Sequence, residues 1–230
     1  MSARRAEAVL FDFGGTLDGD GIHWSRRFDA AFRRQGLDYP MPALDEAFRS
    51  SEKVVNSDPR VKTQDLAEAI HFQVELMLRD LGFPGADLAR GASDDLLAET
   101  RGYLARNSAV LRALKGRVPI GILSNFTGNL ERILEEEGLR PWIGGVFDST
   151  VVGLRKPDPA FFEHALRALG ADRSTTAMIG DSVEMDLLPA HGLGLATVWV
   201  RGHEPRETSF RPDLAVGSVT ELVPLLETAQ

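Results

Sequence analysis

Short apolar runs alternate with longer amphipathic segments along much of this 230-residue sequence. Such alternation is typical of parallel β-strands joined by crossover helices. It predicts a doubly wound, Rossmann-like α/β sheet. The predicted strands are residues 8–12, 118–123, 146–152, 175–179, 195–200 and 213–216. The helices expected between and after them are residues 127–138, 158–169, 184–191 and 219–227.

The region from about residue 22 to residue 105 breaks this alternation, because it has helical periodicity and no convincing strand. Residues 65–82 place one apolar stripe along a helix, formed by Leu66, Ile70, Val74, Met77, Leu78 and Leu81. Three further helices are predicted at 25–35, 42–52 and 93–105. Ser93 suits the N-cap of the last one. We therefore predict an all-helical insertion between the first and second strands.

Charge and composition exclude several classes of protein. The formal net charge is −8, from 34 acidic and 26 basic side chains, so there is no positive field to attract nucleic acid or anionic lipid. Cysteine is absent, which excludes disulfides, thiolate nucleophiles and cysteine metal sites. No apolar stretch reaches the roughly 20 residues of a membrane span. We expect a cytoplasmic protein that binds neither nucleic acid nor membrane.

Polar residues follow the predicted strands at the sheet edge where open parallel sheets bind ligands. They are Asp12 after the first strand, Ser124 and Asn125 after the second, and Asp181 after the fourth. Asp186 lies five residues beyond Asp181, and Lys156 lies on the connection before the helix at 158. Carboxylates, a hydroxyl and a lysine on one edge suit a divalent cation, an anionic substrate and a nucleophile. Capping roles for Ser124 or Ser182 are compatible with this interpretation.

Four short motifs resemble those of the haloacid dehalogenase superfamily, and the resemblance spans the whole chain. "DFGGT" at 12–16 is similar to the first motif, Asp-x-Asp-x-Thr, with Gly14 in place of the second Asp. Ser124 resembles the second motif and "KPDP" from Lys156 the third. "GDSVEMD" at 180–186 matches the fourth, Gly-Asp-x-x-x-x-Asp. Each motif alone is weak, but four in the family's order form a strong signal.

The resemblance implies a hydrolase of small phosphorylated molecules, and it gives each motif residue a role. Asp12 would be the nucleophile and form an aspartyl-phosphate, with Ser124 and Lys156 completing the catalytic set. Mg²⁺ would be held by the side chains of Asp12, Asp181 and Asp186 and by the backbone carbonyl of Gly14. The substrate-binding residues would be Gly15, Thr16, His23 and Asn125. His23 and Trp24 follow motif one closely enough to line the site.

The resemblance also implies two domains. Residues 1–20 and 106–230 would form the α/β core, and residues 21–105 would form a helical cap that closes over the substrate. Neither the substrate nor the oligomeric state can be inferred from the sequence.

Gly14 removes the residue that, in the family's phosphatases, protonates the leaving group and activates water. The missing acid–base help is typically worth ~10²–10⁴-fold in rate, least for acyl or aryl leaving groups. The preferred hypothesis is a Mg²⁺-dependent hydrolase or phosphotransferase in which substrate, water or another residue replaces it; Asp18, Asp20 and His23 are the nearest candidates. A binding or regulatory module without turnover remains open. So does a 2-haloacid dehalogenase, although those enzymes lack a metal and this chain keeps the full fourth motif.

Overall fold

Six parallel strands form one sheet in the computed structural model, which describes residues 6–202 and 208–222. They are β1 (Ala8–Phe11), β2 (Ile120–Ser124), β3 (Gly145–Asp148), β4 (Thr176–Gly180), β5 (Ala196–Val200) and β6 (Leu214–Val216). Their order in the sheet is β3-β2-β1-β4-β5-β6, and every neighbouring pair is parallel. The predicted fold class is confirmed, and the strand bounds mostly agree within two residues. β1 occupies the centre, next to β2 and β4.

Helices cover both faces of the sheet, as the alternation along β1 shows. Val9 and Phe11 belong to one buried cluster, which includes Phe28, Leu111 and Ile133. Leu10 points to the opposite face and packs with Phe161 and Phe162 in a second cluster. Successive side chains of a strand point to opposite faces, so an entirely apolar strand such as β1 has to be covered on both sides.

Four helices fill the connection between β1 and β2, and this connection contains no strand. They are α1 (Trp24–Arg34), α2 (Met41–Ser57), α3 (Leu66–Asp80) and α4 (Ala86–Leu114). α3 packs between α2 and α4, and α1 packs on α4. The predicted stripe on α3 is largely buried, with Leu81 half-buried just beyond the helix end. Residues 105 and 106, where the sequence places a domain boundary, both lie inside α4.

The predicted helix start at Ser93 is wrong. Ser93 lies within the 29-residue helix α4, and its hydroxyl donates a hydrogen bond of 2.6 Å to the carbonyl of Ala89. Gly91, which weakens the helix signal in the sequence, lies close to Gln35 beyond the end of α1: a Cβ on Gly91 would be 2.6 Å from the Gln35 Oε1. α4 continues through Gly91 and Ser93, and the helix packs against α3 and α1.

The predicted third strand, 146–152, is too long, because Ser149–Val152 form the short helix α6. Asp148 causes the change: its side chain accepts a hydrogen bond of 2.9 Å from the Thr150 N–H and so caps the helix. Gly153 ends that helix in a left-handed conformation, with φ of 76°.

The remaining helices are α5 (Leu130–Glu136), α7 (Pro159–Leu169) and α8 (Leu188–Gly192). The predicted helix at 184–191 divides into a π-helical turn, Val183–Leu187, and α8. Of the predicted helix at 219–227, a 3₁₀ turn at Val219–Glu221 is present, and residues 223–227 lie outside the described part. Within residues 6–202 and 208–222, no helix combines the length and the apolar character that crossing a membrane requires.

Candidate active site

Asp12 marks the centre of the site, where it follows β1 at the carboxyl edge of the sheet. Its backbone N–H donates a hydrogen bond of 2.9 Å to the carbonyl of Ile179 in β4. Ser124 ends β2 on the other side, and its hydroxyl donates 2.9 Å to Asp12 Oδ1. The side chain of Asp12 is buried beneath the cavity that it helps to line. Parallel pairing of the three central strands thus brings motifs that are far apart in sequence into contact.

Lys156 connects two of the carboxylates. Its Nζ donates hydrogen bonds of 2.6 Å to Asp12 Oδ1 and of 2.6 Å to Asp186 Oδ1, and only 3% of its surface is exposed. Burial by itself would lower the pKa of Lys156, but the charges of Asp12 and Asp186 hold it above its ordinary value. The ammonium group therefore stays charged and offsets negative charge in the site.

Both carboxylate oxygens of Asp186 accept hydrogen bonds, Oδ1 from Lys156 and Oδ2 from Ser182. Its Oδ2 accepts 3.1 Å from the Ser182 N–H, while Ser182 caps the following turn by accepting 3.2 Å from the Met185 N–H. Burial raises the pKa of Asp186, and the Lys156 charge opposes that rise. Gly180 is required here, because a Cβ at this position would collide with the Asp186 side chain.

Three buried carboxylates have the geometry of a metal site. Asp12, Asp181 and Asp186 each offer an oxygen, and these oxygens all lie within 4.8 Å of one another. The Thr16 hydroxyl lies 3.4 Å from Asp12 Oδ2 and 3.3 Å from Asp181 Oδ1. A set made only of oxygen donors suits a hard cation such as Mg²⁺. Lys156 bonds only one oxygen of Asp12 and one of Asp186, so the carboxylates retain further ligand capacity.

Asn125 contacts Lys156 through both ends of its side-chain amide. Its Nδ2 donates 2.9 Å to the Lys156 carbonyl, and its Oδ1 accepts 2.8 Å from the Lys156 N–H. The sequence assigns Asn125 to substrate binding. In the structure this side chain fixes the lysine backbone at the border of the cavity.

The two glycines after Asp12 differ in their backbone conformation. Gly14 has φ of −71° and ψ of 116°, which any residue adopts, whereas Gly15 has φ of 85°, which favours glycine. A Cβ on Gly15 would also lie 2.9 Å from the Asp181 carboxylate. The Gly15 N–H, on a residue that the sequence assigns to substrate binding, donates 2.6 Å to Asp18 Oδ1.

Asp18, Trp24 and Arg27 form a buried unit behind this turn. Asp18 Oδ2 accepts 2.9 Å from Trp24 Nε1, and the Arg27 guanidinium lies 4.1 Å from the Trp24 ring centre and 3.8 Å from Asp18 Oδ1. Burial raises the pKa of Asp18 to about 6, against the opposing charge of Arg27. Arg27 also bonds the Thr100 hydroxyl of α4. No sequence pattern indicates this unit, apart from the closeness of Trp24 to motif one.

Asp20 points away from the other acidic residues. Its Oδ1 accepts 3.0 Å from the Asn107 side chain and 2.9 Å from the Val219 N–H, and its Oδ2 accepts 3.2 Å from Ser218. Asp20 therefore joins α4 to the C-terminal 3₁₀ turn.

A cavity of about 400 Å³ opens above Asp12 and extends under the helical connection. Residues from both the sheet edge and the helices line it, among them Gly14, His23, Trp24, Phe48 and Phe126. His23 caps α1, since its Nδ1 accepts 3.2 Å from the Ser25 N–H. The same Nδ1 lies 2.8 Å from the Ser25 hydroxyl.

The chain belongs to the haloacid dehalogenase-like hydrolases, a family that it matches over residues 6–194. It therefore belongs to a family of hydrolytic enzymes, as the resemblance of its motifs predicts.

Among its relatives is the pyrimidine 5′-nucleotidase YjjG of Escherichia coli, which is 36% identical over 121 residues, 51% of this chain and 54% of that protein. The chain spans about half the length of the first curated relatives it matches. The ribulose-1,5-bisphosphate 5-phosphatase of Halopiger xanaduensis is 28% identical over 94% of this chain and 92% of its own length.

The L-2-haloacid dehalogenase RSc1362 has a similar structure. Its TM-score is 0.63 at 23% identity, over 97% of this chain and 99% of that one. At this identity the likeness shows the shared fold and does not identify the reaction.

Proposed function

We propose that this protein is a Mg²⁺-dependent hydrolase of a small phosphate ester and that Asp12 is its nucleophile. The observation that carries the proposal is the setting of Asp12, which borders the cavity and is bonded by Ser124 and Lys156. The buried lysine lies where it would offset charge on a phosphoryl group bound to Asp12. Phosphatase and nucleotidase relatives favour the same reaction class.

The reaction has two displacements at phosphorus. A carboxylate oxygen of Asp12 forms a bond to phosphorus while the ester P–O bond breaks, and the leaving oxygen keeps that electron pair. Water then attacks the same phosphorus, which releases inorganic phosphate and restores the Asp12 carboxylate. Ser124 orients Asp12, and Asn125 orients Lys156, so both displacements meet a site that is already organised.

Mg²⁺ fits the oxygen donors of Asp12, Asp181 and Asp186. When bound, it would supply positive charge that stabilises the phosphoryl oxygens. The Gly14 carbonyl is proposed as a further ligand. We also propose that the helical connection acts as a cap over the cavity, since α1 and α2 supply part of its lining.

The three candidates for the missing acid have different settings. Asp18 accepts bonds from Gly15 and Trp24 and is fully buried, while Asp20 is bonded to Asn107 and the C-terminal turn. His23 borders the cavity. We propose that its Nε2–H donates a hydrogen bond to the departing oxygen, which stabilises negative charge without a full proton transfer.

Two alternatives from the sequence remain competing hypotheses. A binding module would keep the carboxylates and the cavity and lack turnover. A dehalogenase would use Asp12 on carbon instead of phosphorus. The compact carboxylate triad favours the phosphate reaction, because displacement of halide from carbon does not require a divalent cation.

Calorimetric titration with Mg²⁺ tests the metal site. Asp181→Ala should weaken binding by about 10-fold or more, because a charged ligand is removed from an oxygen-only set. Asp38→Ala is the matched control, since Asp38 is fully exposed on the helical connection. Equal affinity in Asp181→Ala and in the parent would refute the site.

Substrate assays with and without chelator separate the reaction classes. The parent should hydrolyse phenyl phosphate only with Mg²⁺ and should turn it over faster than ethyl phosphate, because phenolate departs without a proton. Halide release from 2-chloropropionate in chelator, with no phosphate released from either ester, would replace the phosphatase proposal with the dehalogenase alternative.

Gly14→Asp tests whether the absence of an acid at position 14 limits the rate of hydrolysis. The backbone angles suit any residue, and a Cβ would meet Trp24 at an ordinary 3.8 Å, so the variant should fold. With a proton donor restored, hydrolysis of ethyl phosphate should rise by up to ~10²-fold.

Gly14→Asn has nearly the same shape but no acid, and it should show no gain. A fall in the rate of ethyl phosphate hydrolysis in Gly14→Asp would mean that another group occupies the space beside Gly14. It would contradict the view that only an acid is missing.

A further inference from the structure

Trp24 stands beside the position where the missing acid would be. A Cβ on Gly14 would lie 3.8 Å from both Cδ1 and Nε1 of the Trp24 indole. Both residues line the cavity above Asp12. A leaving group attached to a phosphoryl group at Asp12 therefore has the indole as a near neighbour, on the side from which a carboxylic acid would otherwise have acted.

The indole is held in a fixed orientation. Its N–H is bonded to Asp18 at 2.9 Å, and the Arg27 guanidinium lies 4.1 Å from the ring centre. Phe28 packs against it with ring centres 5.6 Å apart. Because the indole is already fixed, it loses little side-chain entropy when a ligand packs on it. The free energy of the packing contact is therefore little reduced by such a loss.

Further aromatic and apolar residues contribute to the cavity lining. Phe48, Ile70 and Phe126 line the same cavity, and the His23 ring packs edge-on against Phe48 with centres 5.5 Å apart. Glu52, Arg155 and the side-chain amides of Asn56 and Gln73 also border the cavity. The rings of Trp24, Phe48 and Phe126 offer apolar surface on which a flat ring can pack.

We propose that Trp24 is a specificity-determining residue and that the substrate class is an aryl phosphate, whose ring packs on Trp24. The inference rests on the proposed function and adds to it the identity of the leaving group. Two independent observations agree: Trp24 and Phe48 present aromatic rings to the cavity, and Gly14 supplies no carboxylic acid at the position where the resemblance implies one. A phenolate satisfies both conditions, because the ring spreads its negative charge and it departs without a proton.

A nucleoside 5′-phosphate offers a flat base too, but its departing oxygen is an alkoxide that requires a proton. The departing oxygen of benzyl phosphate is also an alkoxide that requires a proton, and its ring is simpler than a nucleobase. These two esters are therefore the competing substrates in the test.

The first measurement is binding without turnover. Calorimetry with Mg²⁺ compares phenylphosphonate with methylphosphonate, which share the phosphoryl group and differ in the ring. The parent should prefer phenylphosphonate, and Trp24→Leu should reduce that preference about 5- to 10-fold, as expected for loss of an aromatic pair. Trp24→Phe keeps a ring and should keep most of the preference. Trp142→Leu is the matched control, since Trp142 packs near Arg112 outside the cavity lining, and it should match the parent.

If Trp24→Leu does not fold, Phe48→Leu provides a second variant in the cavity lining. It should also reduce the preference for phenylphosphonate. An unchanged preference in a folded Trp24→Leu would overturn the proposal. An equal loss in Trp24→Phe would overturn it too, because that result would assign the effect to the bond with Asp18.

Turnover is the second measurement, made in the parent with phenyl phosphate, benzyl phosphate and uridine 5′-monophosphate. The expected order of kcat/KM has phenyl phosphate first. A higher value for benzyl phosphate or for the nucleotide would overturn the aryl assignment. If no ester is hydrolysed while the phosphonate preference follows Trp24, the proposed hydrolysis fails and ring recognition by Trp24 stands.

Discussion

The ion pairs of Lys156 organise the whole site. Its ammonium group bridges Asp12 and Asp186, which follow different strands, and all three side chains are buried. Removing one member of such a buried group leaves uncompensated charge, which typically costs about 3–5 kcal/mol. Asp12, Lys156 and Asp186 are therefore interdependent, and the neighbouring contacts of Asn125 and Ser182 hold them in place.

Parallel topology explains why so much of this site could be predicted from the sequence. Apolar runs end at Asp12, Ser124 and Gly180, and strands that pair in parallel present their carboxyl ends at one edge. The strand ends therefore predict that Asp12, Ser124 and Asp181 lie together, whereas Lys156 and Asp186 lie on connections and are indicated by the motifs. The helical connection was equally visible, because the period of its apolar residues differs from that of strands.

Contacts between residues that are distant in sequence determine the features that local patterns do not predict. Ser93 has the right chemistry for a cap, yet α4 continues through it, and the Ser93 hydroxyl bonds the Ala89 carbonyl within the helix. Arg27 bonds Thr100 across 73 residues, so no local pattern indicates the unit that Arg27 forms with Asp18 and Trp24. That unit lies directly behind Gly14, where the resemblance predicts a missing function. The structure places the Trp24 indole beside Gly14, 3.8 Å from where a Cβ would lie.

Covalent chemistry at Asp12 is the central claim, and intact mass spectrometry tests it directly. After the protein is mixed with acetyl phosphate and Mg²⁺, the parent should gain the mass of one phosphoryl group. The adduct should be long-lived, since Gly14 supplies no base to activate water, and Asp12→Asn should not form it. An adduct that persists in Asp12→Asn, or phosphate release by the parent with no adduct at any time, would contradict the account.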